Sequence, residues 1–87
     1  MNDTRQTILD AIEAMLQSDL PARASGVHVV SSTFRHEGDW VYVAVSPGRG
    51  MKSATDLVDV LERTERAVRQ QLNIKLLLTV AADDIAA

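Results

Sequence analysis

The sequence predicts an α/β protein, an α+β two-layer sandwich with the element order α-β-β-α-β, in which two helices cover one face of a three-stranded sheet. Two observations predict this fold. Two segments repeat their apolar residues at the helical period, and three shorter runs are rich in valine, isoleucine and leucine. The 87 residues suit one domain, so we assign residues 1–87 to a single unit. Its tail, 81–87, shows no strong period and is expected to fray.

The first helix is expected over residues 3–16, with Asp3 as its N-cap. Apolar residues recur on one side of this segment and predict its buried stripe: Ile8, Ile12, Met15 and Leu16, with Leu9 at the edge. Proline and glycine within residues 20–26 predict that a loop follows.

The middle of the chain predicts an antiparallel hairpin. Residues 27–35 and 40–45 are rich in β-branched and aromatic side chains, which favour strands. Residues 36–39 between them include Gly38, which tolerates the positive φ of a tight turn.

Residues 54–72 predict the second helix. Ser53 is its expected N-cap, Asp56 suits the first turn, and Asn73 suits the left-handed position after the last turn. Three acid-before-base pairs with i,i+4 spacing predict a solvated outer side: Asp59 with Arg63, Glu62 with Arg66, and Glu65 with Arg69.

The third strand is expected over residues 74–80. Its nearly continuous apolar run predicts a strand that is covered on both faces. Its place in the sheet stays open, because the helix can return the chain beside the second strand or across to the first.

Strand alternation assigns side chains to two faces of the sheet. The all-aliphatic sets suit the face under the helices: residues 41, 43 and 45 of the second strand, and 74, 76, 78 and 80 of the third. The other face then bears Trp40, Tyr42 and Leu77, and also Val29 if Val30 and Phe34 point inward.

This face holds two of the chain's three aromatic residues, which favours an interface with a partner. An identical chain is the simplest partner, so a homodimer is expected. The alternative is scattered surface apolar residues without a function.

A possible anion-binding loop joins the hairpin to the second helix. Its backbone amides, its two cations and the helix N-terminus could hold an anion. The residues are Gly48, Arg49, Gly50, Lys52 and Ser53. The spacing does not match a nucleotide-binding P-loop, because Met51 separates Gly50 from Lys52. The alternative is an ordinary connection with a helix cap.

His36, Glu37 and Asp39 are weak candidates for metal binding, since an imidazole and two carboxylates share one turn. The alternative is a solvated hairpin tip, and no metal or other cofactor is predicted. The chain has no cysteine, which excludes thiolate nucleophiles and thiolate metal sites. No set of nucleophile, base and orienting group can be assembled from the remaining residues, so the sequence predicts a protein that is not an enzyme.

Charge and hydropathy limit the partners. The net charge is −3 and the basic residues are dispersed, which argues against nucleic acid as a partner. No apolar run approaches the ~20 residues of a membrane span, and no signal-peptide pattern begins the chain. A cytoplasmic location is therefore expected.

The element order is similar to that of two known groups. The segments 26–38, 41–45 and 54–72 resemble the cytosolic C-terminal domain of cation-diffusion transporters, which implies dimerisation and metal-responsive regulation. The segments 41–43 and 61–72 resemble the type II KH-like fold, including ribosome-binding factor A, although the G-x-x-G loop is absent. That resemblance implies an RNA- or ribosome-associated domain that uses Arg63, Arg66, Arg69 and the loop 48–52. The first hypothesis remains a non-catalytic module that binds itself or a partner protein.

Overall fold

A computed structural model describes residues 4–49 and 53–81 of the chain. Three helices and a three-stranded mixed sheet follow one another in the predicted α-β-β-α-β arrangement. The elements are α1 (Thr4–Ser18), α2 (Leu20–Ser25), β1 (His28–Glu37), β2 (Trp40–Ser46), α3 (Ala54–Leu72) and β3 (Lys75–Val80). The fold class is therefore confirmed.

The predicted loop over residues 20–26 is wrong, because most of it forms the short helix α2. Asp19 caps this helix, and its side chain accepts a hydrogen bond from the Ala22 amide at 3.3 Å. Pro21 lies in the first turn, where its missing N–H removes no helical bond. Gly26 closes the helix at its C-terminal end. Asp3, the predicted cap of α1, lies outside the described residues.

The hairpin is confirmed, with Gly38 and Asp39 as its turn and Gly38 at φ +59°. A bulge interrupts β1. Val30 pairs with Ala44 and Arg35 pairs with Tyr42, so the four residues 31–34 of β1 lie opposite one residue of β2, at position 43. The Thr33 hydroxyl bridges this gap. It donates to the Val30 carbonyl at 2.6 Å and accepts from the Ala44 amide at 2.8 Å.

Both predicted ends of the long helix are confirmed. The Ser53 hydroxyl accepts from the Asp56 amide at 3.3 Å, and Asn73 adopts the left-handed conformation with φ 55°. The chain then enters β3, which pairs in parallel with β2. The strand order is β1-β2-β3, which settles the position that the sequence left open.

All three helices lie on one side of the sheet, and the core fills the space between. Its fully buried large side chains are aliphatic: Ile8, Ile12, Leu16, Val27, Val43, Val45, Val60, Val68 and Leu76. The prediction that β3 is covered on both faces is wrong, since Leu77 is 38% exposed and Leu76 is not exposed at all. Val80 pairs with the buried Val45 on the covered side, as predicted, but is exposed at the end of the strand. The apolar run of β3 therefore continues onto a face that no described element covers.

Candidate functional site

The side of the sheet away from the helices, which we call the open face, presents three cross-strand rows. Register places one side chain from each strand in each row. The rows are Glu37, Trp40 and Lys75, then Arg35, Tyr42 and Leu77, then Val30, Ala44 and Thr79. The strands β2 and β3 thus bring together the predicted residues Trp40, Tyr42 and Leu77.

Trp40 lies beneath two cations. The Arg69 guanidinium carbon is 5.6 Å from the centroid of the indole ring, and the Lys75 Nζ is 6.0 Å from it. Trp40 nevertheless remains 38% exposed. Cation–π contacts of this kind contribute about 0.5–1 kcal/mol at exposed sites. They fix the ring and still leave part of it accessible to a partner.

Tyr42 repeats this arrangement in the next row. The Arg35 guanidinium carbon is 5.3 Å from the centroid of its ring. Arg35 Nε is 3.2 Å from a Glu37 carboxylate oxygen, so this cation is itself held in place. Both aromatic side chains of the open face are therefore ordered by their neighbours on the same molecule.

Val29 does not belong to the open face, and its predicted place there is wrong. It pairs with the buried Val45 and packs against the core, whereas Val30 pairs with Ala44 on the open face. Phe34 packs against the core as expected. An unbroken strand would place residues 30 and 34 on one face, but the bulge between them changes the alternation. The polar run 31–33, which interrupts the apolar pattern, was the available signal.

Glu65 and Arg69 have a role that the sequence did not reveal. Their i,i+4 pair, predicted to be solvated, lies along the outer edge of β3. A Glu65 carboxylate oxygen accepts from the Leu78 amide at 2.9 Å, and Arg69 Nε donates to the Leu76 carbonyl at 2.8 Å. Arg69 thus joins the edge of β3 to the ring of Trp40. The spacing predicted the pair, but not the strand beside it.

The loop predicted to bind an anion is only partly described, because Gly50 and Lys52 lie outside the described residues. Ser53 caps α3 with its hydroxyl. Gly48, at φ +73°, packs against the backbone of Ser25 and Gly26. An open cavity of about 380 Å³ lies at the base of the hairpin and is bordered by Ser25, Gly26, Gly48 and Arg49.

The structure does not bring His36, Glu37 and Asp39 together. His36 pairs with Val41 of the covered face, whereas Glu37 pairs with Trp40 of the open face. Glu37 contacts Arg35, and Asp39 lies 4.0 Å from Lys75 Nζ. Within residues 4–49 and 53–81, no three histidine, cysteine, aspartate or glutamate side chains are placed to share a metal ion.

Two of the three arginines required by the nucleic-acid hypothesis have partners within the chain. Arg63 donates through Nε and Nη2 to one Asp19 oxygen, at 3.0 and 2.9 Å. Arg69 is bound to the edge of β3, and Arg66 is exposed on α3. The three therefore do not form a free basic surface.

Comparison of the sequence with family models, with curated proteins and with solved structures found no match. Among the helices in the described part of the chain, none combines the length and apolar character needed to cross a membrane.

Proposed function

We propose that the protein is a small interaction module that forms a homodimer through the open face. The observation that carries this proposal is the ordering of Trp40 and Tyr42 beneath cations on a face that no described element covers. Aromatic residues that are already ordered lose little further side-chain freedom on binding, and they are frequent anchors of interfaces. Leu77 adds an apolar side chain beside them.

The charges of the open face support a second copy as the partner. Arg35, Lys75 and Arg69 are cationic, whereas Glu37 and Asp39 are anionic, although the whole chain carries −3. A surface with both signs can meet itself across a two-fold axis, with each cation near an acid of the partner. A strongly acidic or basic partner would instead match a surface of one sign.

The dimensions of the face predict a weak dimer. Three strands of about six residues cover roughly 14 Å by 20 Å at ordinary strand spacing. A stable interface buries about 800 Å² per partner, and smaller interfaces are usually transient. We therefore expect reversible dimerisation in the micromolar range or above, with the monomer dominant in dilute solution.

The single tryptophan of the chain provides a direct test. Sedimentation velocity and Trp40 fluorescence are measured from about 1 μM to about 1 mM, a range that spans weak affinities. The mass should rise towards two chains while the Trp40 emission shifts to shorter wavelength, because dimerisation buries the ring.

Leu77→Glu places a charge in the face and should leave the chain monomeric over the whole range. Val58→Glu is the matched control, since Val58 is also an exposed apolar residue but lies on α3. A wild type that stays monomeric at every concentration contradicts the proposal, as does a Leu77→Glu variant that dimerises like Val58→Glu. A non-catalytic role and a cytoplasmic location remain predictions.

A further inference from the structure

The cavity at the base of the hairpin shares no lining residue with the group formed by Trp40, Tyr42 and Leu77. Its volume, about 380 Å³, lies within the range of small-molecule pockets. It opens where the end of α2, the start of β1 and the loop after β2 meet. The lining residues are Ser25, Gly26, His28, Ser46, Gly48 and Arg49, and none of them is acidic.

Ser46 is the lining residue that most clearly points to a ligand. Only 9% of it is exposed, yet its hydroxyl has no hydrogen-bond partner among the described residues. Its oxygen is not sealed off, because every fully enclosed side-chain nitrogen and oxygen of the described chain has a partner. Ser46 is thus a largely buried residue whose hydroxyl has no partner in the described part of the chain, and it borders an open cavity.

His28 faces Ser46 across the two strands. Its Nδ1 lies 3.0 Å from the Gly26 carbonyl. Because a carbonyl only accepts, Nδ1 must carry the hydrogen, so Nε2 of the neutral ring is an acceptor. Among the described residues, no hydrogen bond joins this ring to the Ser46 hydroxyl. The ring is therefore not placed to take a proton from the serine, and we consider both residues as ligand-binding groups.

Arg49 and Ser25 complete the donor set. Arg49 and Ser25 both line the cavity: Arg49 is exposed and has a guanidinium with several N–H donors, and Ser25, the last residue of α2, has a hydroxyl. Gly48 holds the loop against Ser25, since a Cβ at position 48 would lie only 2.1 Å from the Ser25 carbonyl oxygen. The lining residues with donor groups therefore come from a helix end, a strand and a loop.

We propose that this cavity binds a phosphate-type oxyanion. Ser46, Ser25 and Arg49 would donate to its oxygens, with the His28 ring beside them in the lining. Donors from several directions suit a tetrahedral anion better than a planar carboxylate, and a guanidinium binds phosphate oxygens strongly. The site shares Gly48 and Arg49 with the loop predicted from the sequence, but the Ser53 hydroxyl of that loop is engaged in the cap of α3.

Titration calorimetry of the full chain with inorganic phosphate tests the proposal. We expect saturable binding of one phosphate per chain. Arg49→Gln should weaken it by about tenfold to a hundredfold, and Ser46→Ala by about three- to tenfold, as expected for charged and neutral hydrogen bonds. Arg66→Gln is the matched control, because it removes the same charge from an exposed position on α3.

Two further measurements identify the class of anion that binds and the site at which it binds. Sulfate should bind as phosphate does, and acetate should bind more weakly. The chain has two histidines, so phosphate should shift the NMR signals of the His28 ring and not those of His36. Absence of saturable phosphate binding overturns the proposal. Equal losses in Arg49→Gln and Arg66→Gln, acetate binding as tight as phosphate, or an unmoved His28 signal would also overturn it.

Discussion

Substitution of Glu65 by alanine should destabilise the protein through the edge of β3. The Glu65 carboxylate accepts from the Leu78 amide at 2.9 Å and lies 3.4 Å from Arg69, which itself donates to the Leu76 carbonyl. Hydrogen bonds to charged groups contribute about 1.5–3 kcal/mol. The Glu65 side chain is only 20% exposed, so water replaces it incompletely. We expect the free energy of unfolding to fall by about 2 kcal/mol. This value is in the lower part of the range because water partly hydrates the edge of β3.

The free energy of unfolding, measured by urea denaturation and circular dichroism, checks this value. For a domain of this size a loss of 2 kcal/mol lowers Tm by about 8–16 °C. Glu62→Ala is the matched control: Glu62 is exposed on the same helix, and its removal should change stability by no more than about 0.5 kcal/mol. Glu65→Gln keeps an acceptor and should fall between the two. If Glu65→Ala is no less stable than Glu62→Ala, the contact between α3 and the edge of β3 contributes nothing and the reasoning fails.

Two further pairs of substitutions test contacts of the loops and of the cap of α2. Gly48→Ala should cost about 2–4 kcal/mol, because strain at positive φ is joined by a clash with the Ser25 carbonyl, whereas Gly38→Ala, with open space around it, should cost only about 1–2 kcal/mol. Thermal unfolding of both variants measures the difference, and equal losses would contradict the close packing at Gly48. Asp19→Ala should cost about 2–3 kcal/mol, because one carboxylate both caps α2 and binds Arg63. Arg63→Ala should cost less, since the cap remains; the reverse order in urea denaturation would refute the shared role.

Features set by neighbouring residues could be predicted from the sequence. Ser53 and Asn73 end α3 at the predicted positions because caps depend on hydrogen bonds within one turn. The alternation of β2 correctly assigned Trp40 and Tyr42 to the open face, because that strand runs without interruption. The structure shows where these side chains lie, while their role in an interface remains a prediction.

Features set by distant residues could not be predicted. The extra residues in β1 move Val29 to the covered face, and the Thr33 hydroxyl that accommodates them bonds to Ala44, eleven residues away. The local signals of α2 are Asp19, Pro21 and Gly26, but the second contact of the Asp19 carboxylate is Arg63, forty-four residues away. Local propensity contains no information on such contacts, because they exist only once the helices have packed on the sheet.

The two edges of the sheet explain why association is expected at its face. A sheet edge normally offers unpaired amides and carbonyls to another strand. At β3, Glu65 and Arg69 already bond to such groups. At β1, the bulge breaks the regular spacing, and Arg5 donates to the Ser31 carbonyl at 3.2 Å. Strand addition is therefore disfavoured on both sides, and the aromatic and apolar side chains of the open face remain available to a second copy.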